Sequence, residues 1–277
     1  MELKYCCTYW GCENMPPGDF LQKARKEGYD GVEINMPDNS LYVEEFLSSI
    51  HNIKTEGNPA FVFIAQQVLA LQKESADVYR KKMEKRLTEL ALMRPLFINS
   101  HTGKDYYTFE ENCRIIEIAE NIAAKTGVPV YHEIHRGRFT FHLQMLLPYL
   151  QKFPGIKLCG DISHWCAVSE SMLQDQEEAL YKTFPHIHHI HARIGSEQSP
   201  QVNDPFAPEW VMHLEIFTNW WQKILYLHKD QQASFTITPE IGPSPYMPVM
   251  PYSQLPLCDQ WKTNLKMKSF LKSRFIH

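Results

Sequence analysis

The chain has 277 residues, 44% of them apolar and 22% charged, with a net charge of -4 at pH 7. So much apolar material excludes a disordered chain, and the acidic balance offers no general attraction to nucleic acid or to an anionic membrane surface. No run of about 18 apolar residues could span a bilayer and no secretion signal opens the chain, while the seven cysteines form no CxxC pair, as expected of reduced thiols in a cytoplasmic protein.

Short β-type runs recur near residues 3–9, 30–35, 60–65, 95–101, 128–135, 156–162, 187–193 and 234–240. Amphipathic helical segments lie among them: Asp19 to Lys26, Ala76 to Met93, Phe109 to Thr126, Phe141 to Phe153, Trp210 to His228, and Asp259 to Phe275 at the end. Gly127 reads as a helix C-cap, and Pro154-Gly155 ends the next helix. Alternating strands and helices without a sequence repeat predict an α/β fold, a single (β/α)8 TIM barrel domain over 1–277. A polar loop from Gly195 to Pro208 and a proline-rich stretch from Gly242 to Pro256 are expected to cover the catalytic end of that barrel.

Four polar residues punctuate the ends of successive strands: Glu133 in VPVYHEIHR, Asp161 in IKLCGDISH, His191 in IHHIHARIG and Glu240 in FTITPEIGP. Strand alternation turns Thr236, Thr238 and Glu240 inward, puts Tyr131, Glu133 and His135 on one face, and groups His189, His191 and Arg193. Several inward carboxylates at one level repel one another unless a cation neutralises them, so the pattern predicts a divalent metal site. Three oxygen donors and one nitrogen favour Mn²⁺, with Mg²⁺, Co²⁺ and Zn²⁺ as alternatives.

The order Glu133, Asp161, His191, Glu240, with a DxxH ending in His164 and an HxH ending in His191, resembles the xylose-isomerase-like TIM barrel superfamily of sugar isomerases and epimerases. The resemblance implies that these four hold the metal, that His164 contacts substrate, and that Glu133 and Glu240 act as the acid/base pair. It implies a metal-dependent isomerase or epimerase of a sugar or related hydroxyketone, working by proton abstraction through an enediolate. Two departures leave the substrate open. Arg136, Gly137, Arg138 and Phe139 stand where the epimerases carry a further acidic residue, and Arg193 lies only two residues after His191.

Further substrate contacts are expected of His101 at the end of the fourth strand, Glu33 at the end of the second, Trp10 as a stacking surface, and Arg193. Arg136 and Arg138 suit a phosphate or carboxylate. His189 reads as a structural histidine and Trp220-Trp221 as packing residues. The partner is a small sugar-like molecule, with a homodimer weakly suggested by aromatic surface. Two alternatives stand beside the isomerase: a metal-dependent dehydratase of an inositol-derived ketone, and a non-catalytic carbohydrate-binding barrel. A three-zinc phosphodiesterase of the same superfamily is disfavoured, because no DxH occurs in the chain.

Overall fold

The β-type runs become eight parallel strands: β1 (Glu2–Thr8), β2 (Gly31–Asn35), β3 (Val62–Gln67), β4 (Ile98–Ser100), β5 (Val130–Glu133), β6 (Lys157–Gly160), β7 (Ile187–Ala192) and β8 (Ser234–Pro239). The computed structural model describes residues 1–70 and 72–275, and its strands join in sequence order into a closed barrel, the expected α/β TIM-barrel class. Among the described residues the helices are α1 (Pro17–Lys26), α2 (Ser40–Thr55), α3 (Ala76–Leu92), α4 (Phe109–Thr126), α5 (Leu143–Lys152), α6 (Ser163–Ser169), α7 (Glu177–Thr183), α8 (Val211–His228) and α9 (Gln260–Arg274). None of them is long and apolar enough to cross a membrane.

Contacts divide the chain into two units, one of Met1–Tyr5, Ile134–Arg136 and Phe141–His277, the other of Cys6–Glu133 and Gly137–Thr140. In the second unit, Cys6 to Thr8 pair with Gly31 to Glu33, and β2, β3 and β4 continue the ladder to β5. Gly31 is required there: a Cβ would lie 2.5 Å from the Val62 carbonyl oxygen. Cys6, Ile64 and Phe97 pack together, and Phe97 stacks on Tyr131 at 4.1 Å. Helix α4 begins with a capping box, Thr108 and Glu111 each satisfying the other's backbone N–H, and ends at Gly127 with φ 73°.

In the first unit, Glu2 to Tyr5 pair with Ser234 to Ile237, and β6, β7 and β8 form consecutive ladders. Trp165 and Trp221 are fully buried and Phe217 lies 5.0 Å from Trp220, so the paired tryptophans of α8 are packing residues as their pattern suggested. Helix α6 starts two residues after Asp161, where the sequence suggested only a bending loop. One helical turn therefore sets the spacing of Asp161 and His164.

Candidate metal centre

Glu133, Asp161, His164, His191, Arg193 and Glu240 are all buried. In the first unit the centre is built around Arg193. Its Nη2 donates to Asp161 Oδ2 and, at 2.9 Å, to His164 Nε2, while Nη1 lies 3.7 Å from Glu240 Oε2. Ser163 Oγ donates to Asp161 Oδ1, and His191 Nδ1 is 2.8 Å from Glu240 Oε2. A guanidinium only donates, so His164 Nε2 is the accepting nitrogen of that ring.

His189 faces the same way as His191, their rings 5.2 Å apart. Its Nδ1 sits 3.0 Å from the Thr236 carbonyl, which only accepts, and the Thr238 hydroxyl lies 3.3 Å from Nε2. Both nitrogens thus have partners inside the barrel wall, and His189 also offers a ligand atom beside Cys159 and His191. The Thr236 hydroxyl also lies 2.7 Å from Nδ1, so Thr236 and Thr238 both turn toward His189.

In the second unit Asn99 Nδ2 donates to Glu133 Oε2 at 2.7 Å and to Glu33 Oε1 at 3.0 Å, and Gln66 Nε2 donates to the same Glu33 oxygen at 3.2 Å. His101 Nε2 lies 3.1 Å from Glu133 Oε1, and Arg138 Nη2 lies 3.5 Å from His101 Nδ1. Glu33 and His101 therefore sit beside Glu133 through named hydrogen bonds. Trp10 is half-buried just past β1, its backbone N–H on Thr8 Oγ1 at 3.2 Å. Arg136 is exposed and lies over the Tyr246 ring at 5.1 Å.

Tyr246, on the proline-rich stretch after β8, carries no assignment from the sequence. Arg193 lies 4.8 Å from its ring centroid, and its hydroxyl is 3.3 Å from His135 Nε2. Burial raises its pKa, an effect that the charges of Arg193 and Arg136 oppose. Aromatic type within a Pro-rich loop was the available signal, and it is too common to single out one tyrosine.

In the first unit Asp161, His191 and Glu240 each offer a ligand atom, all within 4.8 Å of one another. Two carboxylates and an imidazole are a donor set that suits a hard or borderline divalent ion. The residues present fit the metal.

The fold is that of the xylose isomerase-like TIM barrels. Solved structures that superpose include the probable 3-DHS dehydratase AsbF from Bacillus anthracis (17% identity, 98% of this chain and 98% of that chain, TM-score 0.61). Another is the 3-keto-D-glucoside 4-epimerase YcjR from E. coli (15% identity, 98% and 100%, TM-score 0.61). A third is a xylose isomerase-like TIM barrel protein from Mycobacterium smegmatis in complex with magnesium (10% identity, 99% and 98%, TM-score 0.60). No protein-family model matches the chain, and no curated protein matches it. The similar structures are thus enzymes of epimerase and dehydratase type alongside a barrel that binds magnesium.

Proposed function

We propose that this chain is a divalent-metal-dependent isomerase or epimerase of a sugar or related hydroxyketone, with 1–277 acting as one barrel domain. The observation that carries the reading is the convergence of Asp161, His191 and Glu240, buried and with ligand atoms within 4.8 Å of one another. These three, with Glu133 assigned as the fourth ligand, would hold the ion, Mn²⁺ by preference, with Mg²⁺, Co²⁺ or Zn²⁺ as substitutes. When bound, the ion supplies a Lewis acid that stabilises negative charge on an enediolate.

Glu133 and Glu240 are the groups we assign to removing and returning the proton. Which carbon and which face receive it back decides between 1,2-isomerisation and epimerisation. Asn99 Nδ2 donates to the Glu133 carboxylate at 2.7 Å and His101 Nε2 lies 3.1 Å from it, contacts that orient it for that task. Substrate oxygens fall to His164, His101, Arg193 and Glu33, with Trp10 and Arg136 at the periphery. Seven free cysteines accord with a reducing cytoplasm.

A second reading, loss of a hydroxyl after the same proton removal, is favoured by the likeness to a 3-DHS dehydratase. Product analysis separates the two. The test is metal analysis of purified protein followed by a panel of sugars, sugar acids and sugar phosphates turned over in D₂O. Bound divalent ion and solvent deuterium at the reacting carbon are expected. A metal-free protein indifferent to chelator would refute the metal reading, and turnover with no label would point instead to hydride transfer.

A further inference from the structure

Two basic side chains in the second unit are buried with no carboxylate in ion-pair contact. Arg138 is 4% exposed and Lys104 is 2% exposed. Among the described residues neither forms an ion pair with a carboxylate, and Arg138 Nε and Nη1 are buried with no hydrogen-bond partner. Lys104 Nζ instead lies over the Tyr79 ring at 5.3 Å. Burial of the ammonium, and next the nearby positive charge of Arg138, lower the Lys104 pKa. The charges of Glu74 and Asp105 oppose that lowering, and keeping both cations out of water costs free energy that no carboxylate in contact offsets.

The arrangement is built rather than accidental. Lys104 is fixed through its backbone, its N–H donating to Asn112 Oδ1 at 3.2 Å and its carbonyl accepting from Asn112 Nδ2 at 2.9 Å. Gly103 makes the approach, with φ +64°, and a Cβ there would lie 2.2 Å from Asn112 Oδ1. The segment carrying Arg138 is laced to the same loop, Phe139 N–H donating to the Thr102 carbonyl at 3.3 Å. The third donor of Arg138, Nη2, reaches His101, which itself reaches Glu133.

From this we infer that Arg138 and Lys104, with His101 alongside, form an anion-binding subsite that receives a carboxylate or phosphate carried by the substrate. The bare guanidinium N–H groups suit an oxyanion, and the ammonium adds a point charge. The inference rests on the isomerase reading only where it calls the anion part of the substrate. It narrows that substrate to an acidic or phosphorylated hydroxyketone, a class that neutral sugars do not meet.

The test is thermal unfolding of the purified protein titrated with orthophosphate and, separately, with glycolate, against chloride at equal ionic strength. A saturable rise is expected with at least one anion, about 4–5 °C at an anion concentration about one hundred times Kd. Phosphate alone indicates a phosphorylated substrate, and glycolate alone a hydroxy acid. Arg138→Gln and Lys104→Met should each abolish the rise while unfolding in chloride no lower than the unsubstituted protein. If one of them does not fold, the other decides. The inference is overturned if neither anion gives a saturable rise, or if the rise survives in the variants. Metal content measured on the same samples keeps the two readings apart: metal without the anion effect removes the subsite alone, and the anion effect without metal removes the metal site alone.

Discussion

Replacing Arg193 by methionine, of similar length but with no charge and no donor, tests the electrostatics of the centre most directly. Arg193 is 1% exposed and faces Asp161, His164 at 2.9 Å and Glu240 at 3.7 Å, so its loss leaves two buried carboxylates short of a cation. Breaking a buried pair by removing one partner costs about 3–5 kcal/mol. A chain of 277 residues unfolds with an entropy near 0.6 kcal/mol per kelvin, taking about 2.1 cal/mol/K per residue, so the expected fall in Tm is about 5–9 °C in EDTA. Saturating Mn²⁺ brings positive charge to the same carboxylates, and the deficit should shrink to less than half. Scanning fluorimetry of both proteins with EDTA and with Mn²⁺ measures this. An equal fall in both conditions would show that Arg193 serves packing alone and that no ion shares its carboxylates.

Three further outcomes follow from other parts of the molecule. Gly103→Ala places a Cβ against Asn112 at positive φ and should lower Tm by at least about 2 °C, with the loss reduced when Asn112 is also changed to alanine. His188 lies 4.6 Å from His228, and burial first, then the charges of His228 and Lys157, hold its pKa down at about 4. Because the unfolded ring takes up its proton near 6.5, the folded state keeps its full stability above that pH and loses it as pH falls from 6.5 toward 4; His188→Gln should flatten Tm against pH across that window. Thiol titration with a chromogenic disulfide should label Cys12 and Cys258 first and the other five only on unfolding, since those five are buried and burial raises the Cys166 pKa.

Much of the fold is legible because strand runs and caps are local signals. Phe109 to Thr126 was expected to the residue, since Thr108 with Glu111 opens α4 and Gly127 closes it. Helix α2 was not named from sequence: it buries only Phe46, Ile50 and Ile53, a narrow stripe among β-branched and aromatic residues that favour strands as well. Helices α6 and α7 span seven residues each, too short for a period to emerge. At the site, strand parity was enough to group His189, His191 and Arg193. It could not foresee that Arg193 would reach both Asp161 and Glu240, because that depends on a neighbouring strand and a helical turn. Glu33 was expected only as a substrate contact, yet it also shares the Asn99 amide with Glu133. That link joins β2, β4 and β5, three segments whose register no single segment reveals.

The grip of Asn112 on the Lys104 backbone has one more consequence. A loop stapled at both its amide and its carbonyl has given up its freedom when the chain folds, so nothing remains to be ordered when a ligand arrives. Such a rim selects by refusal: a visitor without the matching charge meets fixed donors that cannot turn aside, and its stay is brief whatever else it offers.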